Sequence, residues 1–348
     1  MRQPDHAARI DRNTIAAEAG VSTATVSRVF NNPDSVSHER RQRVLAAAHR
    51  LGYAPNKFAS ALARKTTGRL LWLDGRKLSA HDPDNAAFYA SLYTDALESA
   101  LEVIAATTFH LEIGAPHAGS ISPEEYDGIL VFDIDNIQQA VKLAGSGVPL
   151  VCGHHVAHFP RGECFAVDNT AGGRLLAEHL AGLGHRRIAW VTGKTAEISS
   201  HRDRQNGIAG IFPDSQLQII DGQLGPAGGA AAARQLLPEI LAGKITAIIA
   251  VNDLTAFGLV QELRHRGVAI PAQVSVAACD NLPILQLLPM RLTTLDLQLP
   301  VLYRAAAERL LQIPAQPGLV QDSLRLFPPV LIPGDSTAVP AKCPRPAT

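Results

Sequence analysis

The chain has 348 residues, with Lys+Arg and Asp+Glu balanced at 32 each and 46% hydrophobic residues. That length exceeds one small domain, and a charged fraction of 18% is too low for disorder over most of it. No apolar run reaches the roughly 18 residues of a membrane span, the polar start MRQPDHAARIDRN holds no apolar signal core, and scattered Cys152, Cys164, Cys279 and Cys343 read as reduced, cytoplasmic usage.

The neutral total hides an asymmetry. Residues 1–69 hold 12 Lys/Arg and 5 Asp/Glu, a balance of +7, and the remaining 279 residues carry the opposite balance. A basic head on an acidic body fits a polyanion-binding module joined to a domain with another task. In the head, Asp11 is placed to cap a short helix with Ile15, Ala16 and Ala19 on its apolar stripe. Gly20 ends that helix, and Ser22 is placed to cap a second over Thr23 to Phe30. This spacing predicts a helix-turn-helix. Val26, Val29 and Phe30 point inward, leaving Thr23, Ala24, Ser27 and Arg28 outside. Small residues fit a major groove about 12 Å wide, and one Arg can engage a guanine edge bidentately. A third helix follows, with Ser37 as cap, Glu39 in its first turn, Arg40, Arg41 and Arg43 along one side, and Val44, Leu45, Ala48 and Leu51 as core face. Gly52 closes it, and Pro55 forces an extended segment. NKFASALARK, residues 56–65, is a helix too short to persist alone in water.

AGVSTATVSRVFNNPDSVS together with RRQRVLAAAHRLGYAPNKFASALARK resembles the DNA-binding head and hinge of the lactose/galactose-repressor (LacI/GalR) family. The resemblance implies DNA contacts from Thr23, Ala24, Thr25, Ser27, Arg28 and Asn31. It also implies paired hinge helices in the minor groove, with Leu62 as the inserted wedge and Ala59 small enough to let two hinges meet. Arg12 departs from the aliphatic residue usual at its position.

Beyond residue 69 apolar runs alternate with Ala-rich helical stretches. LLWL (70–73), DGILVF (127–132), VPLVCG (148–153), RIAWVTG (187–193), TAIIAV (246–251) and VSVAAC (274–279) read as buried strands. Helices are expected at 89–103, 170–183, 228–242 and 253–266. Such alternation predicts an α/β fold with parallel sheets. No G-x-G-x-x-G or phosphate loop suggests a nucleotide cofactor, and none is expected. AVDNTAGGRLLAEHLAGLGHRRIAWVTG, HRDRQNG, the run from Thr246 to Val276 and LTTLDL resemble the family's effector domain, which is two-lobed and periplasmic-binding-protein-like. The likeness is thinner in the first lobe, where 111–126 is too short for the usual second helix.

Ligands of open parallel sheets bind at the carboxyl ends of strands. The resemblance places Phe88, Tyr89, Ser200, Arg204, Asn252 and Asp280 at such an effector site. A carboxylate, an amide and a guanidinium over an aromatic suit the adjacent hydroxyls of a sugar; a purine or nucleoside is the alternative. Read singly, Asp253 and Asp280 are N-caps and Arg204 a surface ion pair.

CGHHVAHFPRGEC (152–164) gathers His154, His155 and His158 with two cysteines, all zinc-ligand types. The spacing matches no paired arrangement, so it reads as a solvated loop and no metal is expected. His185 and Asp168 could be offered as acid and base, but no nucleophile elbow or paired carboxylates accompany them. His185 reads instead as a helix C-terminal residue complementing the dipole. The sequence thus predicts a helix-turn-helix domain over 1–55, a hinge over 56–67, an effector and dimerisation domain over 68–335 and a frayed tail over 336–348. The expected molecule is a homodimeric, effector-gated repressor of a pseudo-palindromic DNA operator, and not an enzyme.

Overall fold

A computed structural model of the chain describes residues 11–31, 35–51, 53, 66–74, 90–114, 122–132, 142, 147–154, 156, 162–193, 198–313 and 323–341. Two compact units divide it, Met1–Gly68 and Arg69–Thr348.

In the first unit, α1 (Arg12–Ala19), α2 (Thr23–Asn31) and α3 (His38–Arg50) enclose Ile15, Ala19, Val26, Val29, Val44 and Ala47. Each fully buried Val or Ile contributes roughly 1.5–3 kcal/mol relative to exposure. The Asp11 carboxylate accepts from Thr14 N at 2.9 Å, and Gly20 turns the chain at φ 62°. Ser22 Oγ accepts from Thr25 N at 3.1 Å. The helix-turn-helix is therefore built from the capping residues that the sequence singled out. Two expectations for α3 fail. Leu45 is exposed and Ala47 takes its place in the core, because 44, 47, 48 and 51 form the inward stripe. Ser37 holds the N-cap position without a side-chain cap bond. Gly52 and residues 56–65 lie outside the described residues.

The second unit contains two parallel sheets. The first has the order β11-β5-β4-β3-β1-β2, with β1 Arg69–Asp74, β2 His110–Gly114, β3 Gly128–Phe132, β4 Leu150–His154, β5 Gly162–Val167 and β11 Ser323–Phe327. Side chains alternate across it. Leu70, Trp72, Leu130 and Phe132 join the cluster formed with α4 (Ala90–Ala105) and α9 (Leu299–Gln312), and Leu71, Leu73, Ile129 and Val131 fill the opposite face. Arg309 Nε donates to Glu163 at 2.8 Å, tying α9 to β5.

The second sheet has the order β7-β6-β8-β9, comprising β6 Ile188–Thr192, β7 Leu217–Asp221, β8 Ala247–Ala250 and β9 Ser275–Ala277. Leu176 and Leu180 of α5 (Asn169–Gly182) and Ile208 of α6 (Ser199–Ala209) pack with Trp190. Leu236 and Ile240 of α7 (Gly225–Leu241) pack with Leu259 and Leu263 of α8 (Asp253–His265) in the cluster on the other face. Both helix pairs cross through glycine. A Cβ on Gly173 would lie 2.0 Å from Arg204 O, one on Gly207 2.1 Å from Thr170 O, and one on Gly229 1.9 Å from Thr255 O. The chain serves the first sheet with β1–β5, the second with α5–β9, and the first again with α9 and β11. It ends in β12 (Val330–Ile332), antiparallel to β10 (Thr294–Asp296).

The six expected strands are present. The segment 152–164 is not one loop: Cys152 belongs to β4 and Cys164 to β5, in direct register and both buried. Between them His155 and His158 lie outside the described residues, and the described residues contain no group of three or more metal-ligating side chains. The segment 111–126 carries most of β2 and a 3-10 turn at Pro123–Glu125; Arg69 ties to both, its Nε donating to Glu112 of β2 at 2.6 Å and its Nη1 to Glu125 of the turn at 3.1 Å.

The expected frayed tail begins too early. Ser336 is fully buried, its Oγ donates to Val276 O at 2.6 Å, and Val276 N donates to Ser336 O at 2.9 Å. Two histidines hold the next residues. His179 Nε2 lies 2.9 Å from Thr337 Oγ1, and His185 Nε2 lies 3.0 Å from Ala338 O. A carbonyl only accepts, so Nε2 of His185 carries the proton and Nδ1 accepts from Thr246 Oγ1 at 2.9 Å. His185 is thus a buried bridge, not a charged complement to a helix dipole. Burial lowers the pKa of both histidines below 6.5. Below that value the unfolded chain takes up protons that the folded chain refuses, so their stabilisation is complete above pH 6.5 and declines on acidification. Melting temperature should drop between about pH 7.5 and 5.5, and His185→Gln should shrink that drop; an unchanged drop overturns the assignment.

Candidate functional site

The head presents one compact outward surface. Thr23, Ala24 and Arg28 of α2 are exposed, while Thr25 and Ser27 are half-buried. Positions 24 and 28 are one turn apart, so the small residue leaves room beside the guanidinium. Thr25 Oγ1 lies 2.9 Å from Ser22 Oγ, which fixes the start of the helix. Asn31 is the last residue of α2; its side chain, with Ala59 and Leu62, lies outside the described residues.

In the second unit, polar residues gather where β5, β8 and β9 end. Ser200 and Arg204 lie one turn apart on α6, and both are buried. Arg204 Nε donates to Asn169 Oδ1 at 2.8 Å and Nη1 to Val251 O at 2.7 Å. Its Nη2 lies 3.8 Å from Asp280 Oδ1, a charge contact rather than a hydrogen bond. Arg204 is therefore a buried hub and not a surface ion pair. Asn252 is the N-cap of α8, its Oδ1 accepting from Thr255 N at 2.9 Å. Asp253, expected as a cap, is instead the first residue of α8 and fully buried. Asp280 is not a cap either: it follows β9 at φ 112°. Phe88 and Tyr89 lie outside the described residues.

The structure thus brings Arg204, Asp280 and the Val251–Asn252 strand end together, with Ser200 one turn away on α6. A cavity of about 160 Å³ opens beside Asp280, with Asp95 of α4, Asn281, Asp296 and Gln298 on its walls. Ser200, Arg204 and Asn252 do not line it. Burial, then the Asp280 charge, push the Asp253 carboxyl well above the usual carboxylate range. Burial pushes the Cys279 thiol up to about 12. Sequence reasoning missed Asn169 and the part played by Asp253. The available signal was a repeated pattern: a polar pair closes β5 (Asp168–Asn169) as another closes β8 (Asn252–Asp253). Asp168, offered as a catalytic group, caps α5 by accepting from Ala171 N at 2.8 Å.

Comparison with known proteins gives two family matches. Residues 13–56 match the bacterial regulatory proteins, lacI family, and residues 177–337 match the periplasmic binding protein-like domain. The HTH-type transcriptional regulator CelR of Thermobifida fusca is 31% identical over 284 residues, 77% of this chain and 81% of that protein. The HTH-type transcriptional regulator DegA of Bacillus subtilis is 28% identical, covering 80% of this chain and 84% of that protein. Among solved structures, a transcriptional regulator CelR–cellobiose complex shares the fold with a TM-score of 0.65 at 23% identity, across 94% of this chain and all of that one.

Proposed function

The chain belongs to the LacI/GalR family of bacterial regulatory proteins and is a DNA-binding transcriptional regulator; from that premise we propose that a sugar, bound by Arg204, Asp280, Asn252 and Ser200, sets its affinity for DNA. The observation that carries this reading is the Arg204 hub, which gathers an amide, a strand-end carbonyl and the Asp280 carboxylate, the last of which also lines the cavity. A carboxylate accepting hydroxyl hydrogens and amides that both donate and accept match a polyol. The cellobiose complex of a related regulator supports a carbohydrate. Among the described residues no helix is long and apolar enough to cross a membrane.

In this reading two copies present their α2 helices to successive major grooves, so the operator is a pseudo-palindrome. Thr23, Ala24, Thr25, Ser27, Arg28 and Asn31 contact DNA, and Leu62 and Ala59 act at the hinge. The sugar acts through its different affinities for the two DNA-binding states.

The experiment is a mobility-shift titration of the full chain at modest salt, using twofold-symmetric and random duplexes. Parallel thermal shifts use cellobiose, ribose, galactose, sugar phosphates and nucleosides. Preference for symmetric DNA with a shift from a sugar supports the reading, and a shift from nucleosides alone overturns the carbohydrate. Leu62→Ala should weaken symmetric-site binding at least about tenfold, or 1.4 kcal/mol, and leave random-sequence binding within about twofold. Equal losses on both duplexes would remove Leu62 from the wedge role.

A further inference from the structure

One buried acid in the second unit serves neither as cap nor as ion-pair partner of the hub. Asp253 is fully buried, and its two side-chain hydrogen bonds leave its own helix. Oδ2 accepts from Leu282 N at 2.6 Å and Oδ1 from Thr294 Oγ1 at 2.8 Å. An acid placed only to complement the α8 dipole would face solvent, as most first-turn acids do. Asp253 instead joins three separate segments: the start of α8, the turn after β9 and the start of β10.

That turn needs holding. Asp280 and Asn281 have φ of 112° and 58°, and the first is a conformation L residues rarely adopt unless their surroundings impose it. Asp280 N donates to Leu295 O at 2.8 Å, next to Thr294, and Leu282 closes the turn on the Asp253 carboxylate. The Leu282 side chain joins Leu254, Leu297 and Leu299 in the apolar cluster of the first sheet. The Asp280 carboxylate is thus aimed by a frame whose two sides both end on Asp253.

We propose that Asp253 is a positioning residue of the effector site, fixing the 280–282 turn so that Asp280 faces Arg204. The inference rests on Asp280 being an effector contact. Its test uses no effector, so its failure is separable from failure of the sugar reading. Cys279, fully buried one residue before Asp280, is the reporter. In the full chain carrying Cys343→Ser, iodoacetamide labelling is followed by mass spectrometry at Cys152, Cys164 and Cys279. Asp253→Ala should speed labelling of Cys279 at least tenfold and leave Cys152 and Cys164, in the first sheet, unchanged. Asp253→Asn keeps an acceptor for Leu282 N and should stay within threefold of the parent. If Asp253→Ala fails to fold, Thr294→Val, which deletes one of the two bonds, should give a rise of about threefold at Cys279 alone. A Cys279 rate equal to the parent's overturns the proposal. So does a parallel rise at all three cysteines, or an Asn variant as reactive as the Ala variant.

Discussion

Alanine in place of Gly229 is expected to destabilise the second unit by about 3 kcal/mol or more, a drop in melting temperature of roughly 6–12 °C. The added carbon would lie 1.9 Å from Thr255 O and 2.8 Å from Leu259 N. Both are backbone atoms of α8, so no side chain can swing aside. The opposing residue is equally committed, since a Cβ on Gly258 would lie 2.0 Å from Pro226 O. Relief requires α7 and α8 to separate, and that loosens the cluster holding Leu236, Ile240, Leu259 and Leu263. Gly267→Ala, where a Cβ meets nothing but φ is 77°, is the control and should cost only about 1–2 kcal/mol. Equal losses at the two positions would show that helix contact is not the cause.

Arg204→Ala should cost about 3–5 kcal/mol in thermal or urea denaturation. The variant strips donors from Asn169 Oδ1 and Val251 O and leaves the Asp280 carboxylate buried without its cation. If the stranded charge causes much of the loss, Asp280→Asn in the same background should restore at least about 1 kcal/mol. No recovery would place the effect in the two hydrogen bonds instead. Because the variant is destabilised in this way, loss of a sugar-induced shift in it has to be measured at a temperature where it is folded.

Six strands, β1, β3, β4, β6, β8 and β9, were legible because parallel strands are buried on both faces and read as continuous apolar runs, as in RIAWVTG and TAIIAV. β2, β5, β7 and β11 were not. β5 is fully buried, but Gly162 and Glu163 interrupt its apolar run. β7 and β11 alternate or face outward, and Leu324 and Leu326 remain exposed, so neither stands out as a run. The first two helices of the head were legible down to their caps, since Asp11, Gly20 and Ser22 act locally, whereas the expected Ser37 cap of α3 makes no side-chain bond. Arg204 and Asp280 were singled out by resemblance and do meet. Their connection to Asn169 and Asp253 joins segments 35 and 29 residues apart in hydrogen bonds that no local pattern announces. The tail expectation failed at its start, over 336–338, for a related reason: Pro and small residues suggest fraying, whereas here they let Ser336 thread beside β9; residues 342–348 lie outside the described residues.

The return of α9 and β11 to the first sheet bears on how the chain is made. Leu302, Tyr303, Ala306 and Leu310, which complete the cluster around Trp72 and Phe132, leave the ribosome only after the whole stretch from Asn169 to Gln298. At about 5–20 residues per second that interval is of order ten seconds, during which the nascent first lobe has a bare oily side. Chaperone demand should therefore peak in that window and end when the later helix docks.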